Sequence, residues 1–154
     1  AITVTNLQSL ASSSTWVAGW ESGVIDNSSN LYDDYEISGK LALGNSATAG
    51  EIRVYVVPLL DDSTYPDVMD GTESTETWTT TTIRDAAAYL GFAQVTRADP
   101  GTDDVYPIRK FSVEQVCGFT PEKFVIFIAH STGVNLASSG NAVYVKGSYY
   151  NLNA

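Results

Sequence analysis

Residues 31–43, LYDDYEISGKLAL, decide the fold, because apolar and polar side chains alternate along them. Tyr35, Ile37 and Leu41 fall on one side of an extended chain, and the residues between them are mostly polar or small. A period of two is typical of a strand with one buried face and one face in water. The stretch therefore predicts a strand in a sheet that covers a core on one side.

Similar runs recur along the chain and are interrupted by Gly, Pro, Asn, Asp and Ser. They predict further strands over residues 14–21, 51–60, 77–83, 108–113, 123–130 and 141–150. Residues 84–95 fit either a short helix over 85–90 or an irregular strand. About eight strands with at most one short helix indicate an all-β protein, an antiparallel two-sheet β-sandwich or a barrel, with a jelly-roll-like sandwich favoured.

Two of these strands carry additional information. Gly19 interrupts residues 14–21, which indicates a bulge or the close approach of another backbone. In residues 51–60, Val54 and Val56 share one face, while Tyr55 and Val57 make the other face apolar as well. A strand that is apolar on both faces is expected to be central or to be covered by a partner.

The length of 154 residues predicts one domain, residues 13–154. An N-terminal arm, residues 1–12, precedes it; its alternating start is compatible with a short strand, and a neighbouring chain would order it. The only cysteine, Cys117, excludes an internal disulfide and is expected to be a buried thiol. No apolar run predicts a membrane span, and no basic segment followed by an apolar one predicts a signal peptide.

The net charge is -10, from 18 acidic and 8 basic residues. Such a surface repels phosphate backbones and anionic lipids, so neither nucleic acid nor membrane is an expected partner. Residues 61–76 contain six acids and no base. Carboxylates in this number suit calcium, but the stretch lacks the ligand spacing of a calcium loop, so we interpret it as a solvated acidic loop.

No residue pattern predicts catalysis. His130 precedes Ser131, but the chain has no Gly-x-Ser-x-Gly motif, and one His with one Cys cannot form a zinc site. No Gly-rich phosphate loop follows a strand. We therefore predict a protein that is not an enzyme and that has no cofactor and no metal site.

Three segments resemble small virion proteins of tailed bacteriophages: WVAGWES at residues 16–22, EIRVYVVPLLDDSTYPDVMDGTES at residues 51–74 and KFVIFIAHSTGVNL at residues 123–136. The resemblance implies a structural protein such as a capsid cement or decoration protein. It implies binding to the outside of the head as a dimer or trimer, clamping subunits of the major capsid protein, after synthesis in the host cytoplasm. No catalytic residues come with it.

The arm, the doubly apolar strand and the tryptophans are the expected contact regions, because aromatic side chains carry much of the energy of protein interfaces. The candidate interface residues are Ile2, Val4, Trp16, Trp20, Tyr55, Val57 and Trp78. A tail, head-fibre or receptor-binding module of a phage and a carbohydrate-binding module remain alternatives, since both use the same kind of scaffold.

Overall fold

The computed structural model describes residues 1–61, 63–88 and 94–150. Within them the chain forms nine strands and two short helices. In chain order they are β1 (Ala18–Glu21), β2 (Ile25–Asp26), β3 (Asp34–Ala42), β4 (Glu51–Pro58), β5 (Ser74–Thr77), α1 (Thr81–Ala87), β6 (Gln94–Arg97), β7 (Val105–Ser112), α2 (Val113–Cys117), β8 (Lys123–His130) and β9 (Ala142–Ser148). Neither helix has the length and apolar character needed to cross a membrane.

The strands form two antiparallel sheets. The larger one has the order β5-β1-β8-β4-β6, with β2 also paired to β8, and the smaller one has the order β7-β3-β9. The prediction of an all-β, two-sheet sandwich is confirmed. The sheets have six and three strands in the described part of the chain, and the jelly-roll arrangement stays a prediction.

The main core lies between the sheets. In β8, Phe124, Ile126 and Ile128 are fully buried and face this core. The smaller sheet contributes Ile37 and Val143, whose side chains are also fully buried. The alternation read from residues 31–43 is therefore the packing pattern of β3, with every second side chain in the core.

The opposite face of the larger sheet is covered by the chain itself. Tyr55, Val57 and Phe127 pack there in a second apolar cluster, together with Met69 of the acidic loop and Trp78. Ala87 and Ala88, at the end of α1, pack against the same cluster. This explains why β4 is apolar on both faces. The second face is covered by the same chain, whereas a partner chain was one of the two expectations.

The first predicted strand is shorter than residues 14–21 suggest. β1 begins at Ala18, because Trp16 has a φ of 55°, which an extended strand cannot contain. The expected close approach at Gly19 is confirmed, since an added Cβ would lie 2.4 Å from the carbonyl oxygen of Ile128.

Residues 77–83, predicted as a strand from their β-branched side chains, are divided between a strand end and a helix. β5 ends at Thr77 and α1 begins at Thr81. The Thr80 hydroxyl accepts a hydrogen bond from the Ile83 N–H at 3.1 Å and so satisfies a donor of the first helical turn. The prediction is wrong here because threonine side chains bond to nearby backbone and compete with sheet formation.

The two helices also correct the expectation of at most one. The alternative of a helix over residues 85–90 is right in kind, but α1 ends at Ala87, and residues 89 and 90 lie outside the described residues. The second helix begins after Ser112, whose hydroxyl accepts from the Gln115 N–H at 3.1 Å. It ends at Cys117 and is capped by Gly118, which has a φ of 78°.

Residues 1–12 contain no strand and lie against their own domain. Leu7 and Leu10 are buried in the main core, and the N–H of Ile2 donates to the carbonyl of Val143 at 2.9 Å. Most of this segment is thus part of the domain packing, and contact with a neighbour stays a prediction for Ile2 and Val4.

Candidate functional site

The outer face of the smaller sheet is exposed and carries a cluster of basic side chains. We call it the basic face and define it by Lys40, Arg109, Lys110 and Lys146, with Glu36, Val105, Pro107 and Tyr144 among them. Because side chains alternate along a strand, these residues point away from the core that Ile37 and Val143 fill. Within the described residues, no other part of the chain covers this face of the sheet.

A bulge increases the charge of this face. The pairing of β3 with β7 shifts register between Ile37 and Gly39, which are opposite Phe111 and Ile108. Two residues of β7, Arg109 and Lys110, therefore lie opposite one residue of β3, and both are exposed. Bulges of this kind redirect side chains on one strand, and here the result is two adjacent cations.

The charge of the basic face is opposite to that of the molecule. It contains four of the eight basic residues of the chain but one acid, Glu36, which is 2.5 Å from the Lys110 ammonium. The acidic loop lies on the other side of the sandwich, where Met69 packs on the larger sheet. The basic face and the acidic loop therefore lie on opposite sides of a molecule whose net charge is -10.

Exposed aromatic side chains lie on β9 and directly after it, where the Tyr150 backbone N–H donates to an Asp33 carboxylate beside the basic face. Tyr144 is 46% exposed, and Tyr149 and Tyr150 are both 61% exposed. The Tyr149 hydroxyl donates to the carbonyl of Asn30 at 2.6 Å, and the Tyr150 hydroxyl donates to a Glu114 carboxylate oxygen at 2.8 Å. The rings are thus held in place while much of their surface remains in water, as in contact surfaces that use tyrosine anchors.

The structure corrects most of the predicted interface. Trp20, Tyr55, Val57 and Trp78 are buried within the chain, with exposures of 1% or less. They fill the two cores and are not available to a partner of the folded protein. Ile2, Val4 and Trp16 are partly exposed and stay candidates.

The four basic residues of the basic face were missed because no motif marks them. In sequence they are isolated polar residues of β3, β7 and β9, and each is unremarkable alone. The available signal was the sign of the charge on the polar side of each strand. Lys40 and Lys146 both occupy the polar positions of clearly alternating runs.

Two carboxylates of the acidic loop, Asp61 and Asp67, hold the loop in its conformation. Asp61 accepts from the N–H groups of Ser63 and Thr64, and Asp67 accepts from the N–H and hydroxyl of Thr79 at 2.7 and 2.8 Å. Among the described residues, no group of three or more Asp, Glu, His or Cys side chains converges in a way that would hold a metal ion. These hydrogen bonds fix the loop where it covers the larger sheet.

One loop carboxylate also ties the N-terminal segment to the sandwich. Glu73 accepts from the Trp20 indole N–H at 2.6 Å and from the Asn6 backbone N–H at 2.7 Å. The side-chain amide of Asn6 adds a third hydrogen bond to Glu73, at 2.8 Å.

Beneath the same loop, Glu21 is fully buried and accepts from the N–H groups of Gly71, at 2.7 Å, and Asp70, at 3.1 Å. Burial, opposed by these hydrogen bonds, raises the pKa of Glu21 to about 7.

His130 and Cys117 occupy structural positions. Both ring nitrogens of His130 are engaged at 3.0 Å, one with the Thr132 hydroxyl and one with the carbonyl of Leu10, and burial lowers the pKa of the imidazole. Burial also raises the pKa of the Cys117 thiol to about 11. An enclosed imidazole with both nitrogens hydrogen-bonded and a buried, protonated thiol are poorly placed to attack a substrate.

Comparison of the chain with family models, with curated proteins and with solved structures gives no match.

Proposed function

We propose that this chain is a structural protein of a bacteriophage virion, a capsid cement or decoration protein that binds the outside of the head. In this proposal it contacts the major capsid protein as a dimer or trimer and stabilises the contacts between capsid subunits. The basic face is the single observation that carries the proposal. It is an exposed sheet surface with a positive charge, on a molecule whose net charge is negative.

The basic face has the composition of a docking surface for protein. It combines cations with the partly exposed ring of Tyr144 and with Val105, which is 59% exposed. Electrostatic attraction turns the basic face of such a molecule toward an acidic protein surface, and repulsion keeps its acidic parts away from that surface. A phosphate-rich or lipid partner is disfavoured by the net charge of -10.

The environments of His130 and Cys117 support a non-enzymatic role, since both side chains are buried and both ring nitrogens of His130 are hydrogen-bonded. Cement proteins act by binding the assembled state, which raises its stability by mass action. Modest contacts suffice because the symmetry of a shell multiplies them.

The proposal is tested by attachment to purified shells that lack this protein. Lys40→Glu reverses one charge at the centre of the basic face, and we expect it to weaken attachment at least tenfold and to reduce the dependence of attachment on salt. Arg97→Glu is the matched control, because it makes the same charge change on an 87% exposed side chain of the other sheet.

Unmodified protein is expected to raise the temperature at which the shells break. Failure of the unmodified protein to attach to any shell of its own phage would overturn the proposed function. Equal attachment of the Lys40 and Arg97 variants would remove the basic face from it.

A further inference from the structure

The outer edge of β9 is an open edge of the smaller sheet. The order β7-β3-β9 places β9 at one side, with β3 as its neighbour in the described part of the chain. Along an edge strand the N–H and C=O groups point alternately toward the neighbouring strand and away from it. The N–H of Ile2 donates to the carbonyl of Val143, so Val143 points away from β3. Val145 and Gly147 follow at alternate positions and point the same way.

The N-terminal segment occupies only the beginning of this edge. After Ile2 the segment runs toward the start of β9, where the Gln8 side-chain amide donates to the carbonyl of Asn141 at 3.2 Å. Among the described residues, no hydrogen bond reaches the outward N–H and C=O groups of Val145 and Gly147. A sheet edge with unpaired backbone donors and acceptors is a template for one further strand.

The charge at this edge favours an acidic strand. Lys146 lies between Val145 and Gly147, and its side chain belongs to the basic face. Within the described residues Lys146 makes no ion pair, and Glu36, opposite it on β3, is paired with Lys110. A strand added beside β9 would place one side chain directly opposite Lys146, with the two Cβ atoms about 4.5–5.5 Å apart. An acidic side chain at that position is attracted, whereas a basic one is repelled.

The other side of the same edge favours apolar side chains. Val145 is partly exposed and packs against the margin of the main core, as Ile2 does. Side chains alternate along a strand, so the neighbours of the acidic residue in an added strand would lie on the side of Val145. The occupant that fits is therefore an extended segment in which acidic and apolar residues alternate.

We propose that β9 accepts an extended segment of a partner protein as an additional strand, with an acidic side chain opposite Lys146 and apolar side chains beside Val145. Backbone hydrogen bonds to Val145 and Gly147 supply affinity, and the two kinds of side chain supply selectivity. The inference deepens the proposed function and rests on it, because it names the kind of segment that docks beside the basic face.

The test is titration of the folded protein with two acetylated and amidated peptides, TVEVEVT and its basic counterpart TVKVKVT, followed by NMR at about 0.15 M salt. We expect the acidic peptide to shift the amide signals of Val145 and Gly147 and to slow their hydrogen exchange. It should bind at least tenfold more tightly than the basic peptide.

Two pairs of variants separate the charge from the backbone pairing. Lys146→Glu is expected to weaken the acidic peptide at least tenfold. Arg109→Glu is its matched control, because it makes the same charge change on the same face, two strands from the edge, where salt screens it. Val145→Pro removes an outward N–H without removing a bond to β3 and should abolish binding. Val145→Ala keeps that N–H and should retain binding.

Unchanged amide signals of Val145 and Gly147 at millimolar peptide would overturn the inference. So would equal binding of the two peptides, equal binding by the Lys146→Glu and Arg109→Glu proteins, or retained binding by Val145→Pro. Self-association of the unliganded protein that Val145→Pro abolishes, without peptide binding, would assign the edge to a second copy and refute the acidic segment.

Attachment to shells judges the proposed function separately from the added strand. If neither peptide binds while the protein still attaches to shells, the added strand is refuted and the proposed function stands. If the acidic peptide binds while no shell is attached, the added strand stands and the proposed function is refuted.

Discussion

The two outer faces of the sandwich differ in what covers them. On the larger sheet, Tyr55, Val57 and Phe127 are buried under the acidic loop and the end of α1. On the smaller sheet, Lys40 and Tyr144 are exposed. The comparison teaches that a second apolar face on a strand need not indicate a partner chain, and that the bare polar face is the better place to look for one.

The largest expected effect comes from cutting a large side chain out of the covered face. Phe127 is fully buried and packs edge-on to Trp78, with the ring centroids 5.8 Å apart. Phe127→Ala is expected to lower the free energy of unfolding by about 3–5 kcal/mol, because it leaves a cavity. Urea denaturation measures this, and Tyr144→Ala on the bare face should cost less than about 0.5 kcal/mol. Similar losses for the two variants would mean that the acidic loop does not cover the larger sheet.

The carboxyl of Glu21 under the acidic loop gives the covered face its own dependence on pH. Its pKa is about 7 in the folded chain, against an ordinary value of 4.5. The folded state thus holds a proton that the unfolded state releases between pH 4.5 and 7. Stability therefore falls as the pH rises through this window, by at most about 3 kcal/mol.

Glu21→Gln keeps this side chain neutral at every pH, so we expect its unfolding free energy to lack the decline between pH 4.5 and 7. Denaturation series at several pH values measure the difference, and Glu122→Gln, at an exposed position, serves as the control. A decline of the same size in the Glu21 variant would assign the pH dependence to other groups.

Much of the fold was predictable because period-two alternation is a local signal. It located β3, β4, β8 and β9 to within a few residues, and it follows from which side of the strand is buried. The choice between strand and helix at residues 77–83 was not predictable from β-branched content, since it depends on hydrogen bonds of Thr79 and Thr80. For α2 the signal was present, because Ser112 followed by Gln115 has capping-box spacing.

The sites were less predictable than the fold, because they depend on which strands become neighbours. Three strands bring Lys40, Arg109 and Lys146 together, and only the sheet order β7-β3-β9 shows that they share one face. Large aromatic residues were chosen as interface candidates from residue type alone. Residue type does not distinguish Trp20, which is fully buried, from Trp16, which lines a cleft.

The cap of α1 tests how firmly the covering of the larger sheet is attached. Thr80→Ala removes the hydroxyl that accepts from the Ile83 N–H, and we expect a loss of about 1 kcal/mol in unfolding free energy. Thr82→Ala makes the same change at an exposed position inside the helix and should be neutral or slightly stabilising, since alanine favours helix. Calorimetry of both variants checks the difference. Equal melting temperatures would show that packing alone holds the helix end.

The smallest expected effect is on the bare face, at the ion pair of Lys110 with Glu36. The Lys110 side chain is 63% exposed, so water and salt screen the pair. Lys110→Ala is expected to cost less than about 0.5 kcal/mol of unfolding free energy at low salt, and the difference should vanish in 0.5–1 M salt. Urea denaturation at two salt concentrations measures it, with Arg109→Ala as the control on the same face. A loss of several kcal/mol would mean that this face is held as rigidly as the covered one. A small loss of unfolding free energy would mean that Lys110 can exchange Glu36 for an acidic group of a binding partner, as a docking surface requires.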